Sequence, residues 1–229
     1  MGTILLDPLD KTGIAWAQKT VTEYHYRHSP MDVRCSVEGY AVLLENYRVG
    51  LLLFGRPEAT RCYPWYGSVE EAGSGLVEVT RWQVLNLARV WLSSAVQVGG
   101  SLCTPDLVPG YYDRKGIWRS TLASTAIRMA IARVGFDYLV RRPPCFLDEP
   151  YEIRWLLSYC DPAFHKGTIY RSSGFELYRT NDKGLMTWRA PLPGLNQEQL
   201  GEVHYRAKKS RRSQGYRAKR AQIGLPLGE

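Results

Sequence analysis

Two apolar segments separated by a short polar turn limit what this chain can fold into. The sequence GYAVLLENYRVGLLLFGRP, residues 39–57, predicts two strands joined at Glu45-Asn46-Tyr47, with the second strand ending at Gly55-Arg56-Pro57. A two-stranded hairpin is not stable alone in water, so this one needs further strands or helices against it. At 229 residues and 26.1 kDa the chain is long enough to supply them within one large domain.

The segments on either side of this hairpin alternate between helical and extended patterns. We expect a mixed central β-sheet covered by helices on both faces, an α/β (α+β) fold, because strands alternate with helices along the chain. Ser120 offers an N-cap for the second helix and Gly135 an end for it. The predicted order is a helix over 11–28 that stops at Ser29-Pro30, the hairpin, a long strand over 76–96 whose spacing also permits a helix, a helix over 117–136, a strand over 151–161, a short helix over 164–174, and a hairpin of 175–179 with 184–192.

The cysteines and the hydropathy pattern indicate a compartment. Five widely spaced cysteines without a CxxC pair argue against a disulfide framework and against a zinc knuckle, so a reducing cytoplasm is the simplest location. The first residues lack a basic segment followed by an apolar core, and no apolar run approaches the ~20 residues of a membrane span. We expect a cytoplasmic protein without membrane contacts.

The positive charge of the chain is concentrated near its C-terminal end. The formal net charge is +8, but residues 1–202 carry only +1 of it. Such a block is typical of a tail that interacts with an acidic partner, and DNA is the partner we expect; a merely solubilising or disordered end is the alternative. Tyr205 and Tyr216 lie among the cations, and Gly215 is expected to interrupt any helix there. We therefore predict a domain over 1–195 and a DNA-contacting tail over 196–229, whose basic residues are Arg206, Lys208, Lys209, Arg211, Arg212, Arg217, Lys219 and Arg220.

The segment SYCDPAFHKGTIYRSSGFELYR, residues 158–179, holds the strongest candidate for a catalytic site. Asp161 and His165 are four residues apart at a predicted junction of strand and helix, a spacing that can bring both side chains to one cleft. An Asp that orients a His is a familiar acid-base arrangement, because imidazole titrates near neutral pH. The alternative is that Asp161 caps the short helix and His165 lies on the surface. Tyr170 can donate a hydrogen bond or stack on a base, or be an ordinary core tyrosine.

Two further histidines raise the question of a metal. His25 and His28, at positions i and i+3 of the predicted first helix, can meet on one face and, with an acid or His165, hold an ion such as iron. Two histidines alone are a weak signal for a metal site.

Two arginines and two aromatic residues are candidates for contacts with an anion or with DNA. Arg56 ends a strand and Arg89 lies within one, so each needs a partner: a carboxylate, a phosphate, a DNA strand or an internal acid. Trp65 and Tyr66, in the loop CYPWYG, can stack on an extruded base or can pack on the sheet.

The predicted succession of elements resembles the acyltransferase fold of the GNAT superfamily. In that fold the N-terminus of the helix after the central strand holds the pyrophosphate of the cofactor. The superfamily's Arg/Gln-x-x-Gly-x-Gly/Ala loop is absent here, so acetyl-CoA binding is in doubt. Arg119, Ser120, Thr121 and Ser124 open the helix and can still bind an anion, or they can serve only to cap it.

Five segments together are similar to the Mom family of phage DNA-modification proteins, which is itself GNAT-like. The match covers roughly residues 15 to 180, and its most specific part is Ser-Tyr-x-Asp-Pro followed by His-x-Gly-Thr-Ile-Tyr. The five segments are YHYRH (24–28), GLLLFGRP (50–57), LNLARVWL (85–92), RSTLAST (119–125) and residues 158–179.

The resemblance implies an enzyme that converts adenine in double-stranded DNA to N6-carbamoylmethyladenine and so protects it from restriction endonucleases in the cytoplasm of an infected bacterium. With this resemblance in view, the candidate catalytic residues are His165, Asp161, Tyr170, His28 and Arg89. The likeness to GNAT enzymes implies that Tyr170 is the leaving-group acid. The donor of the transferred group is not named by the sequence, and a homodimer is left open. The rivals are a conventional acetyltransferase acting on a protein or small amine, and a catalytically inactive DNA-binding module.

Overall fold

The structure is a computed structural model that describes residues 2–25, 38–57, 69–71, 75–77, 83–142 and 152–222, with the backbone alone for 69–71, 75–77 and 211–222. The helices are α1 (Lys11–Tyr24), α2 (Leu122–Ile131), α3 (Val134–Arg141), α4 (Thr168–Ser172) and α5 (Gln197–Gln222). The strands are β1 (Ile4–Pro8), β2 (Glu38–Leu44), β3 (Tyr47–Gly55), β4 (Val69–Glu71), β5 (Gly75–Val77), β6 (Val84–Leu92), β7 (Gly110–Tyr112), β8 (Trp118–Ser120), β9 (Trp155–Cys160), β10 (Glu176–Thr180) and β11 (Met186–Pro191).

Seven of the strands form one mixed sheet in the order β1-β2-β3-β6-β9-β11-β10. Strands β6 and β9 pair in parallel, and the other neighbours in this sheet pair antiparallel. Strands β4 with β5 and β7 with β8 form two separate ribbons. A parallel pair needs a long crossover, and α2 and α3 lie within the one that joins β6 to β9.

Helices cover both faces of this sheet, which confirms the predicted α/β fold. Alternate residues of β3 point to opposite faces: Leu52 and Phe54 belong to the larger core with α2 and α3, whereas Leu51 and Leu53 pack towards α1. All four are fully buried. Complete burial of such a side chain contributes about 1.5–3 kcal/mol, so this strand anchors both layers.

The hairpin of β2 and β3 is confirmed, and its turn explains how two strands so rich in apolar residues reverse direction. Glu45 and Asn46 both have positive φ values, 49° and 67°. This is the backbone of a type I′ turn, whose twist matches that of the strands it joins. The second predicted hairpin, β10 with β11, is confirmed as well.

The first helix and the long strand are both shorter than predicted. Helix α1 ends at Tyr24, because His25 has an extended backbone with φ −82° and ψ 141°. His25 therefore lies just beyond the helix, and His28, with which it was predicted to share a helical face, lies outside the described residues. Strand β6 covers 84–92, with β5 a separate strand before it.

The predicted helix over 117–136 is divided into two helices with a turn between them. Arg133 leaves helical geometry at φ −139°, and its N–H donates to the carbonyl of Ala130. The break gives α3 its own buried face, formed by Val134, Tyr138 and Leu139. Gly135 lies in the first turn of α3, so the prediction that it ends a helix is wrong.

The connection before α2 contains the small hairpin of β7 and β8, which the sequence did not predict. Helix α2 follows this hairpin directly. Its N-cap is Thr121, whose side chain makes no capping hydrogen bond, rather than Ser120.

The basic segment near the C-terminal end is helical. Asn196 and Gln199 cap helix α5 reciprocally, each side-chain oxygen accepting from the other's backbone N–H at 2.9 and 3.0 Å. The helix continues through Gly215, against expectation, since a helix tolerates an interior glycine at a cost of about 1 kcal/mol. Val203 is fully buried in the larger core. The first turns of α5 thus pack on the domain, and the division at residue 195 stays a prediction.

Among the residues described, no helix has the length and apolar character needed to cross a membrane.

Candidate active site

The sheet opens where its two parallel strands separate. Strands β6 and β9 pair over three positions only, the last of which joins Asn86 to Leu157. Just beyond it the Ser158 hydroxyl donates to the carbonyl of Leu87 at 2.9 Å and spans the gap once more. Past this point the strands carry no further pairs with each other, and their edges are available to line a cavity.

A cavity of about 620 Å³ lies at this opening, within the range of sites that hold small molecules. Four parts of the fold line it: the outer half of β6 with the segment after it, the end of α1, the start of α2, and the region from β9 to α4. The lining residues are Tyr24, His25, residues 86–92 and 96–98, Ser120, Ala123, Tyr159, His165, Ile169 and Tyr170.

His165 lines the cavity, whereas Asp161 is held in the turn beside it. The Asp161 carboxylate accepts from the N–H of Ala163 at 2.9 Å, and its carbonyl accepts from the N–H of His165 at the same distance. The pair is therefore joined through the backbone of one tight turn. Asp161 is not among the lining residues, so its carboxylate acts here as the cap of the turn.

Tyr170 lines the cavity with a ring held in place by other aromatic rings. It stacks on Trp188 with centroids 6.0 Å apart and meets the edge of Phe175 at 5.6 Å. The sequence permits this because residue 167 is glycine: with φ +71°, a Cβ there would lie 2.2 Å from the Trp188 ring. The short helix α4 can thus approach Trp188 closely and present Tyr170 to the cavity.

His25 also reaches the cavity and is buried. Its predicted partner His28 lies outside the described residues, as do Trp65 and Tyr66. Within the described ranges no group of three or more His, Cys, Asp or Glu side chains is placed to hold a metal ion. A metal at this site stays a prediction.

The two arginines occupy different places. Arg89 lines the cavity, and its Nη1 donates to the carbonyl of Ala88 at 2.8 Å. Arg56 lies at the end of β3, where its Nε donates to the Tyr138 hydroxyl at 2.7 Å and its guanidinium lies 5.8 Å from that ring. Arg56 is not among the lining residues. The sequence predicts that this arginine has a partner, and Tyr138 is one.

Of the four residues proposed to bind a phosphate at the start of α2, Ser120 lines the cavity. Its hydroxyl accepts from the N–H of Leu122 at 3.2 Å. Ser124 is buried and donates to the carbonyl of Thr121 at 3.0 Å, and Arg119 forms an ion pair with Asp113 at 2.6 Å. The backbone N–H groups of Ala123 and Ser124 belong to the first turn, which has no intrahelical acceptors. Phosphate binding at this end of α2, without the glycine loop of the GNAT superfamily, stays a prediction.

Asn86 is a cavity residue that the sequence reading missed. Its Oδ1 is buried and, within the described part of the chain, has no hydrogen-bond partner. A buried polar atom left in this state costs about 1–3 kcal/mol, so stability does not explain its presence. The sequence contains one signal for this residue: it is an Asn within a predicted strand rich in β-branched side chains, where Asn is unfavourable.

The cations of α5 whose side chains are described are exposed. These are Arg206, Lys208 and Lys209, and Arg206 forms an ion pair with Glu202 one turn earlier. The side chains of Arg211, Arg212, Arg217, Lys219 and Arg220 lie outside the described residues, although the helix backbone continues past them.

Fold and cavity together define an α/β protein with a ligand-sized site where two parallel strands separate. No family model matches this chain, and no curated protein sequence is significantly similar to it. Among solved structures, the chain is similar to the aminoglycoside acetyltransferase AAC(6')-Ib in complex with coenzyme A and kanamycin, at 14% identity over 88% of this chain and 99% of that one, with a TM-score of 0.45. It is also similar to the IAA acetyltransferase from Bacillus cereus, at 9% identity over 83% and 100% with a TM-score of 0.44, and to the GNAT domain of S. lividans PAT, at 11% identity over 83% and 90% with a TM-score of 0.41. Likeness of this extent identifies neither a cofactor nor a substrate for this chain.

Proposed function

We propose that this chain is a GNAT-type group transferase that modifies the exocyclic amine of adenine in double-stranded DNA, forming N6-carbamoylmethyladenine. The observation that carries the proposal is the cavity between β6 and β9, which is lined by an imidazole, a tyrosine and an Asn whose buried Oδ1 has no hydrogen-bond partner within the described part of the chain. The similarity of residues 158–179 to the Mom family adds the identity of the acceptor. The basic helix α5 adds affinity for the phosphate backbone of the DNA.

The chemistry of the acceptor decides which groups are needed. The N6 lone pair of adenine is delocalised into the ring, so transfer to it requires a base that removes a proton as the new N–C bond forms. His165 is the base in this scheme, because it lines the cavity and an imidazole nitrogen can accept a proton. Tyr170 is the acid that protonates the leaving group, and its stacked ring holds that hydroxyl in one place.

Asn86 has the chemistry to recognise adenine in this cavity. A side-chain amide accepts from the N6 amino group through Oδ1 and donates to a ring nitrogen through Nδ2, which is the familiar pairing of Asn with adenine. A base within a duplex cannot reach a cavity of this kind, so the nucleotide must be extruded. The buried Oδ1 gains its missing partner when the base enters.

The donor side of the reaction rests on the start of α2. The free N–H groups there and the Ser120 hydroxyl are suited to a phosphate of the donor, and Arg89 adds a positive charge to the same cavity. The donor in this scheme carries the carbamoylmethyl group on a leaving group: N6 attacks the CH2 carbon, the bond from that carbon to the leaving group breaks, and the leaving group takes up the proton of Tyr170.

The experiment that tests the proposal is chemical. The protein is expressed in a bacterial host, plasmid DNA is digested to nucleosides, and deoxyadenosine heavier by one carbamoylmethyl group is sought by mass spectrometry. We expect that product from the native chain and a loss of about 10²–10⁴-fold in its rate of formation from His165→Ala, the usual contribution of an acid-base residue. An abundant, folded protein that leaves all deoxyadenosine unmodified would contradict the proposal.

The variant Asn86→Leu separates recognition of the base from the stability of the fold. Replacing an unsatisfied buried amide by an apolar side chain of similar size is expected to leave the free energy of unfolding unchanged or to raise it by about 1 kcal/mol. The modified nucleoside should nevertheless disappear. If the modification persists, Asn86 does not recognise the base.

A conventional acetyltransferase is the second candidate, because the cavity meets the N-terminus of the ten-residue helix α2, where an anion is favoured. Titration calorimetry with acetyl-CoA distinguishes the two candidate functions. Micromolar binding, together with unmodified DNA, would favour this candidate.

A further inference from the structure

The hairpin of β7 and β8 exposes large apolar side chains that the fold leaves uncovered. Tyr111 is 58% exposed, Tyr112 is 62% exposed and Ile117 is 43% exposed. The whole hairpin covers only residues 110–120, so three large exposed side chains lie on one small element. Exposed apolar side chains concentrated in this way commonly mark a surface that binds a partner.

The tip of the hairpin is organised around one carboxylate. Asp113 Oδ1 accepts from the N–H groups of Lys115 and Ile117 at 2.8 and 2.9 Å, while Oδ2 accepts from Nε of Arg119 at 2.8 Å. These hydrogen bonds, that from Ile117 first, hold the pKa of Asp113 below its usual range. Gly116 completes the turn at φ +73°, a conformation that favours glycine. The tip therefore has a defined shape before any partner arrives.

The charge of this tip is positive. Asp113 is neutralised by Arg119 in an ion pair at 2.6 Å. Arg114 and Lys115 are exposed, and within the described part of the chain no carboxylate pairs with them. Two uncompensated cations beside exposed aromatic rings suit a polyanion that also presents flat apolar faces, which is the chemistry of a nucleic acid.

The hairpin stands at the rim of the cavity. Its strands pair Gly110 with Ser120 and Tyr112 with Trp118, so these four residues share one side of the ribbon. Ser120 lines the cavity; Tyr112 shares its side of the ribbon but is not itself among the lining residues. Trp118 meets the Tyr112 ring edge-on at 5.0 Å and fixes its direction.

From these observations we infer that the β7–β8 hairpin is a DNA-contacting arm. Arg114 and Lys115 bind backbone phosphates, and Tyr112 stacks on bases next to the nucleotide that enters the cavity. This inference rests on the proposed function, because the cavity gives the reason for DNA to lie at this rim. A second copy of the chain or another protein could also cover the aromatic patch, but the paired cations at the tip favour phosphates.

Charge reversal in the full-length chain tests the arm. The affinity of Arg114→Glu/Lys115→Glu for a short fluorescein-labelled duplex is measured by anisotropy across a series of salt concentrations. We expect the slope of log K against log salt to become less steep by about 2, one for each lost phosphate contact. The control Lys11→Glu/Lys19→Glu makes the same change in net charge on α1, at the opposite face of the sheet, and should shift the slope by much less.

The aromatic contact is tested separately. Tyr112→Ala should weaken binding about tenfold, a typical loss for one stacked base, whereas Tyr112→Phe should keep most of the affinity. Tyr112 is exposed, so both variants are expected to fold. Equal effects of Tyr112→Ala and Tyr112→Phe would contradict stacking.

The outcomes distinguish the arm from the enzyme. If the native chain modifies adenine but both charge-reversal variants bind DNA alike, the arm is wrong and the proposed function stands. If the hairpin variant alone loses DNA binding while no modified nucleoside forms in any experiment, the arm stands and the proposed function fails. If the native chain does not bind duplex DNA, or if Tyr112→Ala dissociates a homodimer in sedimentation and leaves DNA affinity intact, the arm is overturned.

Discussion

The chain contains two hairpins whose side chains are distributed in opposite ways. In the hairpin of β2 and β3, nearly every residue from Glu38 to Leu44 and from Val49 to Gly55 is buried. In the hairpin of β7 and β8, no residue of either strand is fully buried: Trp118 is partly buried against the larger core, and Tyr111 and Tyr112 are exposed. The first hairpin is explained by the core that it forms, but core packing does not explain the two exposed tyrosines of the second.

The difference gives a criterion for separating framework from function in this molecule. The stability of the fold explains the buried apolar residues, since each removes apolar surface from water. The exposed ring of Tyr112 and the buried Oδ1 of Asn86, which has no hydrogen-bond partner among the residues described, are not explained in this way. Both lie at or beside the same cavity.

The largest contrast should appear in the stability of variants from the two hairpins. Phe54→Ala removes a fully buried ring from β3 and should lower the free energy of unfolding by about 3–5 kcal/mol. Tyr112→Ala should change it by no more than about 0.5 kcal/mol. Urea unfolding followed by fluorescence measures both, and a cost for Tyr112→Ala above ~2 kcal/mol would show that the ring is structural.

Two glycines sharpen the comparison at the level of the backbone. A Cβ at Gly50 of β3 would lie 2.3 Å from Leu92 Cδ2, and one at Gly110 of β7 would lie 2.3 Å from the carbonyl oxygen of Arg119. Gly50→Ala should cost about 1–3 kcal/mol of global stability, because the crowding falls inside the sheet.

Gly110→Ala distorts a small ribbon instead. It should cost at most about 1 kcal/mol and weaken DNA binding. A Gly110→Ala protein that binds duplex DNA as the native chain does would speak against the arm, whereas equal stability losses in the two variants would remove the contrast.

The two hairpins also differ in how far the sequence predicted them. The hairpin of β2 and β3 can be predicted from a short stretch of sequence, because long apolar runs flank a polar turn and the whole signal lies within 39–57. Strands β7 and β8 have three residues each, and their signal is an Asp and a Gly three positions apart between aromatic residues. That is too weak to recognise without the contacts of Asp113.

The cavity shows the same limit of sequence reasoning. His165, Tyr170, Arg89, Ser120 and His25 were chosen as candidates, and the structure places all five at one cavity. The position of Asp161 depended on a local turn that spacing alone could not resolve. Asn86 was missed because its meaning comes from the position where β6 and β9 part, which is a property of two segments some 70 residues apart.

A smaller effect is expected at alkaline pH and belongs to the buried hairpin. Burial, together with the nearby Asp137 carboxylate that accepts its hydrogen bond at 2.7 Å, raises the pKa of Tyr40 far above its ordinary value of 10.0. The folded state therefore favours the neutral phenol. The stability this contributes is complete below pH ~10, where the unfolded chain is also neutral, and it is lost progressively as the pH rises above that value.

Tyr40→Phe removes that ionisation. The variant should be less stable than the native chain by about 1 kcal/mol at neutral pH, because one hydrogen bond is lost, and the gap should narrow above pH ~10. Urea unfolding midpoints of the native chain and of Tyr40→Phe, measured across this pH range, test whether the gap narrows. A gap that widens with pH would mean that the phenolate is favoured in the folded state.

The smallest effect lies at acid pH and belongs to the exposed hairpin. The pKa of Asp113 is lowered by the N–H of Ile117 and by Arg119, so the folded tip favours the carboxylate. The order that this gives the tip is complete above pH ~4, the ordinary range of an Asp, and is lost as the pH falls through the lowered pKa. Because the group is exposed, the loss should be confined to the hairpin: the amides of Lys115 and Ile117 should exchange faster with solvent, while those of β2 and β3 stay protected. In Asp113→Asn the fast exchange should already be present at neutral pH. If the amides of both hairpins lose protection together, the tip is part of the cooperative core and the contrast between the two hairpins is wrong.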